Sequence, residues 1–138
     1  MQIIPLSEGV FTIDKTKIFV PFNTETDELQ HRPLGSLLVE VLPFLLITSK
    51  DVLLLDTGLG FSKNGELQLY ANLKANTVQP EQVTKVLLSH LHKDHAGGVS
   101  TKDRLGNYQL AFPNATYYVQ QKEFDYAMDI GYPSYMTE

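Results

Sequence analysis

Three of the four histidines in this 138-residue chain fall within six positions, at His90, His92 and His95, with a carboxylate, Asp94, standing among them. The run from Ser89 to Gly98 reads Ser-His-Leu-His-Lys-Asp-His-Ala-Gly-Gly. Neutral imidazoles and carboxylates are the ligands that zinc and similar divalent ions take. Crowding them together is costly unless a cation uses them. His90 and His92 are two apart, so an extended or turning backbone points both to one side, where one ion can take the pair. Asp94 and His95 follow the corner, where Ala96-Gly97-Gly98 lets the backbone bend tightly. They are better placed to hold a second ion beside the first. The pattern therefore reads as a two-cation site, in which the ions share a water, lower its pKa and polarise the bond under attack.

Two apolar runs must position these groups. Val83 to Ser89 (Val-Thr-Lys-Val-Leu-Leu-Ser) is β-branched and aliphatic, as a buried strand is, and delivers the histidines at its end. Asp51 to Gly60 (Asp-Val-Leu-Leu-Leu-Asp-Thr-Gly-Leu-Gly) is a second strand that closes on Asp56 and breaks at Thr57-Gly58. A carboxylate ending a buried strand needs a hydrogen-bond partner, or it caps the turn that follows.

The order His-x-His-x-Asp-His after a buried strand resembles the signature of the metallo-β-lactamase superfamily, and His90, His92, Asp94 and His95 match all four positions. Leu53 to Gly60, Gly65-Glu66-Leu67, Asn72-Leu73 and the run Phe112 to Val119 are similar to the lactonase and organophosphate-hydrolase branch, a likeness that covers roughly residues 36 to 128. The resemblance implies an α/β fold, the N-terminal half of an αββα sandwich with a mixed sheet and flanking helices. It implies that Asp56 lies beneath the metal centre and orients a ligating histidine from outside the ligand set. It implies two divalent ions, zinc by default, with His90, His92, Asp94 and His95 as ligands and Asp94 also the catalytic residue that helps orient the nucleophile. The reaction implied is attack by metal-bound hydroxide on an ester-like or lactone bond of a small-molecule substrate, an acyl-homoserine lactone for example. The rival readings are thioester cleavage of the glyoxalase II type and a non-enzymatic metal-binding or assembly fragment.

The superfamily's second half supplies further ligands, and no histidine follows His95. Residues 1–138 therefore read as a partial domain without that half, inactive as this chain alone. One sheet face should stand open, and copies of the chain should associate through it. His31, in an early polar loop, reads as a surface or substrate-loop residue and not as a ligand.

Composition sets the outer bounds. The chain is 43% hydrophobic and 20% charged, ordinary for a globular domain. A net charge of −5 leaves no basic footprint for nucleic acid. No apolar run approaches the ~20 residues of a membrane span. Met1 to Pro5 lacks the basic start of a secretory signal, so a cytoplasmic location is expected. The absence of cysteine excludes disulfides and thiolate ligands.

The remaining pattern predicts a hairpin over Gly9 to Phe22 and a loop over Asn23 to Pro33. A long strand region follows over Ser36 to Thr48, with Pro43 marking an edge or a bulge. A helix is predicted over Glu66 to Ala75, capped by Asn64, and a helical turn at Pro80 to Gln82. Two strands joined around Pro113-Asn114 and a helix over Gln121 to Met128 complete the reading. Tyr117, Tyr118, Tyr126, Tyr132 and Tyr135 read as packing residues rather than substrate contacts.

Overall fold

The computed structural model describes residues 1–130, 134 and 135; Tyr132 lies outside the described residues. In chain order the elements are β1 (Gln2–Pro5), β2 (Gly9–Ile13), β3 (Phe19–Pro21), β4 (Leu37–Val41), β5 (Phe44–Ile47), β6 (Val52–Leu55), β7 (Ser62–Lys63), β8 (Glu66–Leu67), α1 (Gln68–Ala75), β9 (Lys85–Leu87), α2 (Lys93–Ala96), β10 (Ser100–Lys102), β11 (Tyr108–Leu110), β12 (Thr116–Tyr118) and α3 (Gln121–Ile130). Single 3-10 turns lie at Leu29–His31 and Pro80–Gln82.

The main sheet has the order β1-β5-β6-β9-β12. β1, β5 and β6 pair antiparallel, whereas β9 pairs parallel with both β6 and β12. A parallel pair needs a crossover, and α1 supplies it between β6 and β9. The sheet's two faces differ as period-2 alternation requires. Leu45, Leu54 and Val86 point into one core with Leu69 and Leu73 of α1 and with Phe112, all fully buried. The opposite face carries Ile3, Leu87 and Tyr118, which are 57%, 44% and 46% exposed. One face of the sheet is therefore open within this chain. A second, three-stranded sheet, β3-β2-β4, packs Phe11, Val41 and Leu59 into a smaller core.

Several expectations change. Pro43 marks neither an edge nor a bulge. It is a buried corner at which the apolar run leaves the small sheet as β4 and enters the interior of the large one as β5. A proline fits there because the chain is between ladders and its missing N–H is not called on. Asn64 is not a helix cap. It and Gly65 both take left-handed angles, φ 54° and 80°, and make the two-residue turn of the β7–β8 hairpin; the helix begins after Leu67. The two strands expected either side of Pro113 are present and belong to different sheets: β11 pairs with β10 and β12 with β9. β1 was not foreseen, because its four residues show no alternation. Within the described residues, no helix is long and apolar enough to cross a membrane.

Leu54 is 0% exposed at the centre of the sheet. Leu54→Ala is expected to lower unfolding free energy by roughly 2–5 kcal/mol, read by urea denaturation. A loss under about 1 kcal/mol would mean that the core does not close on this face.

Candidate metal centre

β9 ends at Leu87, and the chain then passes through Ser89, His90 and His92 into the single turn α2, which carries Asp94 and His95. This turn is locked to the loop after β6. Thr57 N–H donates to the His95 carbonyl at 2.7 Å, and the Thr57 hydroxyl donates to the same oxygen at 3.1 Å. Gly97 N–H donates to the Gly58 carbonyl at 2.8 Å. The two loops can lie this close because glycine stands on both sides: a Cβ on Gly60 would run into the Gly97 carbonyl, and one on Gly98 into that of Thr57. Asp56 itself takes a left-handed backbone, φ 60°, unusual for a residue with a side chain.

The side chains gather as a cluster. The His90 ring lies 4.7 Å from that of His92 and 4.0 Å from that of His95, centre to centre. His95 thus sits against His90 and is not turned away from it by the corner. Its Nδ1 is 2.8 Å from Asp56 Oδ2, and its Nε2 is 3.5 Å from Asp94 Oδ2. Asp56 also accepts from Ser89, through the backbone N–H and the hydroxyl, both at 2.7 Å. His31 is elsewhere, in the exposed 3-10 turn beside Glu28.

The electrostatics follow from these contacts. The Asp56 hydrogen bond lifts the His95 pKa above the usual histidine value, against a smaller downward pull from burial. Burial alone would raise the Asp56 carboxyl, but hydrogen bonds from His95 and Ser89 outweigh it and the net shift is downward. Burial lowers His90, and the neighbouring His95 and His92 lower it further.

The donor set suits a divalent cation. With Nδ1–H given to Asp56, a neutral His95 turns the lone pair of Nε2 toward the Asp94 carboxylate. Two acceptors 3.5 Å apart need a proton or a cation to share. What the side chains lack is convergence: among the described residues, no three His, Asp or Glu groups are arranged to hold an ion as they stand. The donors fit the ion in type and proximity, and side-chain rotation would have to bring them to a common point.

Two supporting residues carry no signal that the motif reading uses, and a third, Tyr135, stands closer to the site than expected. Ser89 anchors Asp56; it directly precedes the first histidine, which was the available signal. Glu123 of α3 accepts the Leu91 N–H at 2.9 Å and so fixes the backbone between His90 and His92; its partner is a main-chain group, which leaves no pattern. Tyr135, read above as a packing residue, lies 4.8 Å from the His92 ring and also packs on Tyr126. A groove of about 200 Å³ opens beside His92 and Asp94, lined by Ile13, Phe19, Leu37 and Val39 with Lys17 and Lys93. The larger hollow, about 960 Å³, lies away from the histidines, between α1 and the β10–β11 hairpin.

Comparison with known proteins bears on the family and the fold. The family model described as the metallo-beta-lactamase superfamily matches residues 38–138. The N-acyl homoserine lactonase AttM of Azorhizobium caulinodans is 40% identical over 57 residues, 41% of this chain and 18% of that protein. A probable metal-dependent hydrolase from Staphylococcus aureus superposes with a TM-score of 0.67 at 25% identity, over 96% of this chain and 51% of its own. The hydrolase AbOPH of the beta-lactamase superfamily gives 0.67 at 29% identity, over 94% of this chain and 45% of its own. The chain thus spans about half the length of the solved structures it matches.

In the metal-free chain, Asp56→Asn is expected to move the His95 titration downward, as followed by NMR. The stability profile should change with it. The depressed Asp56 stabilises above its unfolded pKa and is lost as pH falls through its folded value. The raised His95 stabilises below its unfolded pKa and is lost as pH rises through its folded value. The pair therefore contributes most between the carboxylate and histidine ranges, and urea midpoints across pH should flatten at both ends in Asp56→Asn.

Proposed function

The chain belongs to the metallo-β-lactamase superfamily, and on that premise we propose that it forms one half of a metal-dependent hydrolase acting on an ester-like or lactone bond. The observation that carries this is the cluster of His90, His92 and His95 with Asp94 beside it and Asp56 on the far nitrogen of His95. In this reading His90 and His92 hold one divalent ion and Asp94 and His95 a second, with zinc the default for such N/O donors. Bound there, the ions supply a water acidic enough to attack at neutral pH and polarise the substrate carbonyl.

The chain's own residues do the rest. Asp56 keeps the Nδ1 proton of His95, fixing its tautomer and leaving Nε2 for the centre. Asp94 is the catalytic residue in this reading, a ligand of the second ion that would help orient the nucleophile. Glu123 and the Thr57–His95 bonds hold the backbone that carries them. The groove beside His92 offers apolar walls for the substituent of a small substrate. Likeness to the AttM lactonase favours a lactone, with acyl-homoserine lactones first among candidates.

We extend the proposal to domain organisation: residues 1–138 are a partial domain, and the remaining ligands come from outside them. Its support is the open face of the main sheet and the half-length match to the solved structures. While that face is uncovered, copies of the chain associate through it. Sedimentation should then depend on concentration, and a clean monomer at high concentration would count against it.

The first test is elemental analysis after dialysis against metal-free buffer, followed by assays on lactone, ester and thioester substrates with zinc added. Bound zinc in wild type, and its loss in His92→Ala, are expected; the lactone should be opened faster than the thioester once the site is complete. Equal metal content in wild type and His92→Ala would remove the metal centre from this reading.

A further inference from the structure

The loop that holds Asp56 is itself held from the other end of the chain. Glu8 lies between β1 and β2, and its own N–H donates to the Val41 carbonyl at 2.9 Å, which fixes its backbone where the two sheets meet. Its side chain reaches 51 residues along the sequence, where Oε2 accepts the Leu59 N–H at 2.7 Å. The carboxylate lies flat against Gly58: a Cβ there would fall inside it. The other oxygen, Oε1, is buried and has no hydrogen-bond partner among the described residues.

A buried carboxylate with one satisfied oxygen is expensive. Burial pushes its pKa up to about 7, even with the Leu59 N–H pulling the other way. An ordinary packing position would carry an apolar side chain at less cost. The loop it touches, though, needs an outside hold. Asp56, Gly58 and Gly60 all have positive φ, at 60°, 69° and 72°. The two glycines adopt it without steric cost, but a left-handed Asp56 persists only where its surroundings over-determine it. On one side it is tied to the histidine turn, through Thr57 N–H to His95 O and Gly97 N–H to Gly58 O. On the other, the tie is Glu8. Without it, the Leu59 N–H loses its partner and the loop that carries Asp56 is held from the histidine side alone.

We propose that Glu8 is a positioning residue: it clamps the Asp56–Gly60 loop against the histidine turn, and so keeps Asp56 on His95 and His95 in line with the metal centre. The inference rests on the reading of that centre given above. Reach to the Leu59 N–H, rather than charge, is what the clamp requires. Glu8→Gln keeps the reach and an acceptor oxygen. Glu8→Asp keeps the charge but is one methylene short, and Glu8→Ala removes the group.

The experiment uses the whole chain and two readouts. The first is the His95 side-chain signal in the metal-free protein, observed by 15N-edited NMR, with Asp56→Asn as the reference for a broken bond. The second is zinc affinity by chelator competition. Glu8→Gln should resemble wild type in both. Glu8→Asp and Glu8→Ala, while folded by circular dichroism, should move the His95 signal toward that of Asp56→Asn and weaken zinc binding roughly tenfold, the low end for outer partners of metal ligands. A folded Glu8→Asp or Glu8→Ala with wild-type His95 signal and zinc affinity overturns the proposal. If both variants unfold, Glu8 serves the fold alone and the positioning role is withdrawn. Wild type that binds no zinc would sink the metal reading, while the His95 signal would still decide the role of Glu8.

Discussion

The hydrogen bond between Asp56 and His95 is the contact around which the rest of this chain is arranged. It joins the ends of two adjacent parallel strands, β6 and β9, through the loops that leave them. A carboxylate at that depth is tolerable because it has three donors, two from Ser89 and one from His95. In return it fixes which nitrogen of His95 carries the proton, and hence which nitrogen is presented to Asp94. The parallel register of β6 and β9 places the two loops side by side, and α1 makes that register possible by carrying the chain over the sheet.

Around that contact the protein trades backbone comfort for proximity. Asp56 takes a left-handed conformation, Gly58 and Gly60 do likewise, and Gly97 and Gly98 meet the opposing loop with no room for a side chain. Each of these is unfavourable or entropically weak taken singly. Together they bring two loops into backbone contact, so that three hydrogen bonds cross between them and three more end on the Asp56 carboxylate. The fully buried Leu54 and Val86, on the two strands beneath, make this rigid. Imidazoles are thereby gathered beyond the ends of two interior strands by a scaffold that does not depend on them for its core.

The sheet has a second property with functional weight. Its covered face is an apolar core that includes Phe112, whereas its other face leaves Ile3, Leu87 and Tyr118 about half-exposed. A chain that invested only in its own solubility would place polar residues at Ile3, Leu87 and Tyr118. Their apolar character is what the proposed pairing of this layer with a second one would use.

What the amino-acid order determined alone was mostly local. The apolar run before the histidines read as a buried strand, which forms over Lys85–Leu87 with Val86 buried and Leu87 half-exposed; the histidine motif pointed to the superfamily the chain belongs to; and the hairpin over β2 and β3 followed from alternation and a polar turn. The mixed sheet with a flanking helix was legible through the family resemblance. Tertiary structure decided everything that joins residues distant in sequence. Pro43 proved to be a corner between sheets, since a proline's missing N–H is compatible with an edge, a bulge or a corner, and only the neighbouring strands distinguish them. Asn64-Gly65 became a hairpin turn because the strands it joins could pair, though the same residues could have capped a helix. Ser89 and Glu123, and above all Glu8, act on main-chain groups or on a partner tens of residues away. A hydrogen bond to a backbone N–H selects no residue type at the other end, so nothing in the order of side chains could announce it.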